Sequence, residues 1–129
     1  MNIDDYSTLN EYELNEELLN ACLMGELNKV KFILLNNSIK TRVNLNYKDR
    51  YGCTALSVAV FYNSADIIKF LIFDMNKSVS KEELDHIKES NKEDMTMVHL
   101  LLELLEKRKF HDNLQNSIPT RLKGNNIKI

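Results

Sequence analysis

The chain has little glycine, proline or cysteine, and it has no tryptophan. Its three glycines and single proline are too few for the many tight turns of an all-β fold, so helices joined by polar loops are expected. The two cysteines, Cys22 and Cys53, belong to neither a CxxC motif nor a Cys/His metal pattern. These absences predict an all-α protein in a reducing, cytoplasmic setting, with no metal or cofactor.

Long apolar runs and a large net charge are also absent. No stretch approaches the roughly 18 apolar residues of a membrane span, and the acidic residues 1–5 lack the apolar core of a secretion signal. The formal net charge is −2, which gives the molecule as a whole no electrostatic reason to bind nucleic acid. We therefore expect no membrane span and no small-molecule substrate. The protein is expected to act in the producing cell or, after delivery, in a host cell.

The most informative segment that is present covers residues 49–59, DRYGCTALSVA. Gly52 suits a turn with a positive φ angle, and the carboxylate of Asp49 can fold back onto nearby amides. Thr54 is a suitable N-cap for a helix that follows the turn. The segment therefore predicts a tight turn that leads directly into a buried helix.

The sequence from Thr54 to Ala59, TALSVA, resembles the ankyrin-repeat fingerprint TPLHxA. Thr54, Leu56 and Ala59 match, whereas the proline and the histidine of the fingerprint are missing. The resemblance covers residues 16–75 well, and it extends over residues 78–109 only as a further pair of helices. It implies a solenoid of stacked helix-turn-helix repeats with short hairpin fingers between them.

The helical pattern of this segment occurs twice, at an offset of 38 residues. Five positions of the first copy recur in the second: Leu18, Ala21, Gly25, Val30 and Leu34 correspond to Leu56, Ala59, Asn63, Ile68 and Ile72. Gly and Asn both tolerate the left-handed conformation that a helix-to-helix turn needs. The ankyrin period is roughly 33 residues, so we place the extra residues in a polar surface loop at 36–42.

Apolar spacing and capping residues predict three pairs of helices. The pairs are expected at about 10–24 and 28–36, at 54–62 and 65–73, and at 80–91 and 93–109. We expect capping boxes at residues 8–11 and 80–83, and a water-facing Lys29 on an outermost repeat. The expected segments are a flexible lead at 1–9, a repeat domain at 10–109 and a polar, basic tail at 110–129. Within the domain, residues 10–45 form an N-capping repeat, 46–77 a central repeat and 78–109 a degenerate C-capping repeat.

Ankyrin repeats bind partner proteins through their finger tips and the inner faces of their first helices, and the resemblance implies the same surfaces here. The predicted partner-binding residues are Arg50, Tyr51 and Cys53 on the finger, Phe61 and Tyr62 at one helix end, and Leu23 and Met24 at the corresponding earlier end. Aromatic residues and arginine are enriched at the centres of interfaces. The implied function is a non-catalytic protein–protein interaction module. The alternative is that Phe61 or Leu23 packs on the neighbouring repeat, or that Tyr51 covers loop backbone. Phe70 is expected to belong to the core.

Three other functions remain compatible with the sequence. A small single domain with an acidic N-terminal region also fits an immunity or antitoxin-like inhibitor of a partner enzyme. An enzyme or metal protein would have to use His99 and Glu103, but the three histidines of the chain share no ligand spacing. Before Lys29 the Asp, Glu, Lys and Arg residues are all acidic, whereas from Lys107 onward they are nearly all basic. That basic segment is either a nucleic-acid, membrane or acidic-protein contact or a solvated helix end with a loose tail.

Overall fold

The computed structural model describes residues 4–117, which are all-helical and contain no β-strand. This confirms the all-α prediction. The helices are α1 Asp4–Ser7, α2 Glu11–Leu23, α3 Leu27–Leu35, α4 Ala55–Phe61, α5 Ala65–Lys69, α6 Lys81–Ser90 and α7 Thr96–Ser117. A short 3-10 helix covers Lys40–Arg42, and α5 continues as a π-helical turn over Phe70–Asp74. Each of the six predicted helices is found, with boundaries that differ by at most three residues except at the end of α7, when the π-helical turn is counted with α5.

The start of α2 differs in one detail from the prediction. The side chain of Asn10 accepts a hydrogen bond from the amide of Glu13 at 2.8 Å, and the Glu13 carboxylate accepts one from the amide of Asn10 at 2.9 Å. The capping box therefore covers residues 10–13, and the prediction at 8–11 is wrong. At α6 the hydroxyl of Ser80 accepts from the amide of Glu83 as predicted, but the Glu83 carboxylate is used elsewhere.

The turns that follow α2 and α4 have the same backbone conformation. Gly25 has a φ of 70° and Asn63 has a φ of 60°. In each turn the next amide donates to a carbonyl at 2.9 Å, that of Ala21 in the first turn and that of Ala59 in the second. These are the positions that the 38-residue offset pairs. The turn after α6 differs, because Asn91 has a φ of −117°.

The helices contact one another in two rows. Helix α4 contacts α2 on one side and α6 on the other, and we call these three helices the first-helix row. Helix α5 likewise contacts α3 and α7, which together form the second-helix row. Ile67 and Ile68 of α5 are both fully buried, as predicted for a central pair. The core joins the two rows through fully buried side chains that include Leu14, Leu18, Val30, Ile33, Leu56, Ile67, Ile68, Leu71, Ile72, Ile87 and Leu101.

The N-terminal segment departs from the expected flexible lead at 1–9. Residues 4–7 are helical, and the buried ring of Tyr6 lies 5.6 Å from the ring of Phe32. The guanidinium of Arg42 donates to the carbonyl of Leu9 at 2.6 Å, which ties this segment to the chain after α3. The expectation is therefore wrong for residues 4–9, and residues 1–3 lie outside the described part of the chain.

Two further expectations near α3 need correction. The loop at 36–42 was expected to be a simple surface insertion, but Ile39 is fully buried and anchors it in the core. Lys29 was expected to face water, but its side chain is largely covered and forms an ion pair with Glu17 of α2. This ion pair raises the pKa of Lys29, and it closes part of the outer face of the first pair.

Helix α7 also continues beyond its predicted end at residue 109. It reaches Ser117, so residues 110–117 of the predicted tail are helical. The rest of that tail, residues 118–129, lies outside the described part of the chain. Within α7, the guanidinium of Arg108 donates to the carbonyls of Ile72 at 3.1 Å and Lys77 at 2.6 Å. This basic residue therefore holds the π-helical turn and the segment after it rather than belonging to a loose tail.

Candidate functional site: an aromatic groove on the first-helix row

A groove of about 410 Å³ crosses the first-helix row beside the finger of residues 49–53. We call it the aromatic groove. Its main lining residues are Leu23 of α2, Tyr51 and Cys53 of the finger, Val58, Phe61 and Tyr62 at the end of α4, and His86 and Ser90 of α6. Five of the seven predicted partner-binding residues are among them. The structure thus brings together side chains from four separate segments of the chain.

The finger has the turn geometry that the sequence predicts. One carboxylate oxygen of Asp49 accepts hydrogen bonds from the amides of Tyr51 at 2.8 Å and Cys53 at 2.9 Å. Gly52 has a φ of 81°, a conformation that L side chains rarely adopt. An added Cβ atom at Gly52 would lie 3.7 Å from a ring carbon of His86, so the finger rests against α6. This turn holds Tyr51 at the rim of the groove.

The aromatic rings of the groove are open to solvent rather than buried in the core. Tyr51 is 71% exposed, Phe61 54% and Tyr62 49%. The rings of Phe61 and Tyr62 meet edge to face with centroids 5.2 Å apart, and the guanidinium of Arg50 lies 5.4 Å from the centre of the Tyr51 ring. Leu23 adds a further exposed apolar side chain at the end of α2. Such a cluster is apolar surface that contact with another molecule would cover.

The other two predicted residues lie beside the groove. Met24 is exposed at the end of α2 but does not line the groove. Arg50 lines a neighbouring depression of about 320 Å³, together with Tyr12, Glu16 and Tyr47. The hydroxyl of Tyr47 donates to the carboxylate of Glu16 at 2.6 Å, and this hydrogen bond raises the pKa of Tyr47 to about 12. The two cavities share Asp49 and Tyr51, so they form one continuous surface.

Acidic residues dominate the first-helix row around the groove. Helix α2 carries four acidic residues and no basic one, and α4 carries no charged residue. Helix α6 carries four acidic and two basic residues. The groove lining contains three weakly acidic side chains, Tyr51, Cys53 and Tyr62. Its other titratable side chains are Asp49 and His86. The groove is therefore largely apolar, and the charged residues of the helices that line it are mostly acidic.

A buried polar network beneath the finger was missed by the sequence analysis. The hydroxyl of Thr54 donates to one oxygen of the Glu83 carboxylate at 2.6 Å, and the ammonium of Lys77 donates to the other at 2.8 Å. Lys77 also donates to the side chain of Asn46 at 3.2 Å and to the carbonyl of Ser78 at 2.8 Å. Lys77 is only 3% exposed and Glu83 only 6%. The network fixes the start of α4 to α6, and both of these helices contribute residues to the lining of the groove.

The two thiols are poorly suited to nucleophilic chemistry. Burial raises the pKa of Cys53, and the nearby carboxylate of Asp49 raises it further. Burial alone raises the pKa of the fully buried Cys22 to about 12. Since the thiolate is the reactive form, both cysteines are weak nucleophiles at neutral pH.

The residues suggested for a metal site are not assembled into one. Glu103 forms an exposed ion pair with Lys107 at 3.1 Å, and His99 is exposed on the same helix. Over residues 4–117 no group of three or more His, Cys, Asp or Glu side chains is placed to hold a metal ion.

Comparison of the chain with protein-family models, with curated proteins and with solved structures finds no match. Among the described helices, none combines the length and the apolar character needed to cross a bilayer. The aromatic groove and its supporting network are accordingly the features from which a function is inferred.

Proposed function

We propose that this chain is a short ankyrin-like repeat protein that binds a partner protein without catalysing a reaction. The matched turns at Gly25 and Asn63 and the order of contacts within each helix row support the repeat architecture. In such a stack each helix pair contacts only its neighbours, and the outermost pairs act as caps. The pair α2 and α3, with its Lys29–Glu17 ion pair, and the pair α6 and α7 take the two capping positions.

The observation that carries the binding function is the convergence of exposed aromatic side chains on the aromatic groove. Tyr51, Phe61 and Tyr62 come from two segments of the chain and line the same groove. About half or more of each side chain is exposed. Burying such rings on association supplies a large apolar contact with little loss of side-chain entropy. Tyr51 and Phe61 act as the apolar anchors, and Arg50 supplies a charged contact at the edge.

The test is the double substitution Tyr51→Ala and Phe61→Ala, compared with Phe73→Ala as a matched control. Phe73 is an aromatic residue of similar exposure in the π-helical turn, on the second-helix row. Each variant is used as bait in affinity capture from producing cells, and the recovered proteins are quantified against the wild-type chain. Losing two anchors is expected to weaken capture of a specific partner by at least about 10-fold.

Thermal unfolding of the same variants separates binding from folding. Because both rings are exposed, the double variant should unfold within a few degrees of the wild-type temperature. A large fall in that temperature would instead assign the rings to the core. Equal capture by the wild-type chain and the double variant would remove the groove as the binding site. Recovery of a single enzyme whose activity the chain blocks would identify the inhibitor form of this function.

A further inference from the structure

The aromatic groove and the depression beside it share the finger, and both are lined by exposed or partly exposed aromatic rings. Phe61 and Tyr62 line the groove, Tyr12 and Tyr47 line the depression, and Tyr51 lines both. The face of an aromatic ring is the negative side of its quadrupole, so it attracts cations as well as apolar groups. The surface therefore suits a ligand that combines a positive charge with an apolar body.

The charged side chains that line the two cavities carry a surplus of negative charge. Asp49 lines both cavities and Glu16 lines the depression, whereas Arg50 is the one basic residue of the two linings within the described part of the chain. The hydrogen bonds of Glu16 and Asp49 are made to a hydroxyl and to backbone amides, which carry no charge. Three of the four acidic residues of α6 pair with lysines, so α6 adds little to this charge. The finger side of the surface is therefore complementary to a cation.

One contact in the chain already pairs a guanidinium with a ring of this surface. The guanidinium of Arg50 lies 5.4 Å from the centre of the Tyr51 ring. Arg50 lines the depression but not the groove. Over residues 4–117 the groove lining includes one carboxylate, that of Asp49, and no lysine or arginine. The groove thus offers rings and a carboxylate to a cation that comes from another molecule.

We infer that the aromatic groove binds an arginine side chain from an exposed segment of a partner protein. The inference rests on the proposed function, since it names what the partner inserts into the same groove. The guanidinium stacks on the rings of Tyr51 and Phe61, and Asp49 balances its charge. The methylene stem of the arginine packs on Leu23 and Val58, which supply apolar surface to the lining.

The size and chemistry of the groove favour an arginine over other occupants. Its volume of about 410 Å³ lies toward the lower end of the roughly 300–1,000 Å³ of ligand pockets, which suits one long side chain better than a whole helix. A guanidinium is planar and more weakly hydrated than an ammonium, so it stacks on aromatic faces more readily than lysine does. A purely apolar side chain would leave the carboxylate of Asp49 without a charged partner.

The test is the binding of three capped peptides, Gly-Leu-Xaa-Leu-Gly, whose central residue is arginine, lysine or citrulline. Citrulline has nearly the shape of arginine but carries no charge. Each peptide is titrated into the isotope-labelled full-length protein at neutral pH, and the dissociation constant is obtained from the shifts of the amide resonances. The arginine peptide should bind with a dissociation constant of about 1 mM or below and at least about 5-fold more tightly than the citrulline peptide. The lysine peptide should fall between them, and the shifts should include the amides of Tyr51, Cys53 and Tyr62.

Two variants separate the contribution of the charge from that of the rings. Asp49→Asn removes the charge but keeps a side-chain oxygen that can accept from the finger amides. The double variant Tyr51→Leu and Phe61→Leu keeps apolar side chains but removes two rings. Each variant should lower the preference for arginine over citrulline to less than about 2-fold.

The control is Phe73→Leu on the second-helix row, which should keep the full preference for arginine. Added salt should weaken the binding of the arginine peptide more than that of the citrulline peptide, because only the former is charged. Thermal unfolding checks that each variant is folded.

Equal affinity of the wild-type chain for the arginine and citrulline peptides would overturn the inference. So would a lysine peptide that binds as tightly as the arginine peptide, no binding of the arginine peptide up to roughly 10 mM, or a preference that Asp49→Asn retains in full. Affinity capture separates this failure from that of the proposed function. If Tyr51→Ala with Phe61→Ala loses a captured protein that Asp49→Asn retains, the groove binds a partner without an arginine. If neither variant changes capture or peptide binding, both proposals are rejected.

Discussion

The hydroxyl of Thr54 donates a hydrogen bond of 2.6 Å to the carboxylate of Glu83, a residue 29 positions later in the chain. The same Thr54 oxygen accepts from the amide of Ser57, as the N-cap of α4. The other oxygen of Glu83 accepts from the ammonium of Lys77 at 2.8 Å. One buried carboxylate therefore links the helix that follows the finger to the third helix pair.

We expect Glu83→Ala to lower the free energy of unfolding by about 3–5 kcal/mol, because it leaves the ammonium of Lys77 buried without its carboxylate. Urea denaturation of the variant and of the wild type measures the difference. Asp85→Ala is the matched control on the same helix. Its partner Lys81 is exposed, so that change should cost less than about 1 kcal/mol. Equal effects of the two substitutions would contradict the structural role of the buried pair.

We expect Arg108→Ala to destabilise the protein by about 1.5–3 kcal/mol, the usual contribution of hydrogen bonds made by a charged group. The guanidinium of Arg108 donates to the carbonyl of Ile72 in the π-helical turn and to that of Lys77 in the segment after it. Lys109→Ala removes the neighbouring charge from an exposed side chain and should change stability by less than about 0.5 kcal/mol. Thermal unfolding compares the two variants. A similar small effect of both would mean that Arg108 belongs to a loose basic segment.

We expect Asn63→Ala to destabilise the protein by about 1 kcal/mol relative to Asn63→Gly, because the φ of 60° at this turn disfavours a Cβ atom. Gly25→Ala should have a cost of the same size at the equivalent turn. An added Cβ at Gly25 would lie 3.6 Å from the hydroxyl of Ser64, an ordinary contact, so the cost there is conformational. Denaturant unfolding of the three variants is the measurement, and a clear gain in stability from Asn63→Ala would contradict the turn geometry.

We expect stability to fall as the pH rises from about 10 toward 12, in part because Tyr47 ionises. The hydrogen bond to Glu16 raises the pKa of Tyr47 from 10.0 to about 12 in the folded protein. A raised folded-state pKa means that the contribution is complete below the unfolded value and is lost as the pH passes through the folded value. Phenolate absorbance during an alkaline titration should include the late ionisation of Tyr47. Glu16→Gln should return that tyrosine toward the others, and an unchanged titration curve would contradict the contact.

Local structure could be predicted from the sequence because short-range chemistry determines it. Asp49, Gly52 and Thr54 lie close together in the chain, and their turn and cap geometry depends on interactions over a few residues. The same holds for the apolar spacing that predicts the helices. The 38-residue offset also predicted that Gly25 and Asn63 occupy equivalent turns. Both positions need a residue that tolerates a positive φ.

The structure places five of the seven predicted binding residues on one groove, but the local sequence pattern did not predict the groove itself. Its lining also includes His86 and Ser90 of α6, which the sequence pattern had not assigned to the site. The Lys77–Glu83 pair also had no local signal. A lysine after an apolar helix and a glutamate near a helix start are usually exposed, and only packing of α4 against α6 buries them.

The order of residues by itself thus determined the all-α class, the helix positions and the finger turn. The tertiary structure alone decided that Tyr6, Ile39 and Lys77 are buried and that Arg108 holds the π-helical turn. The physical reason is the range of the interactions. Caps, turns and helical periodicity act between neighbours in sequence, whereas burial of a charged or apolar side chain depends on helices that meet only after the chain has folded.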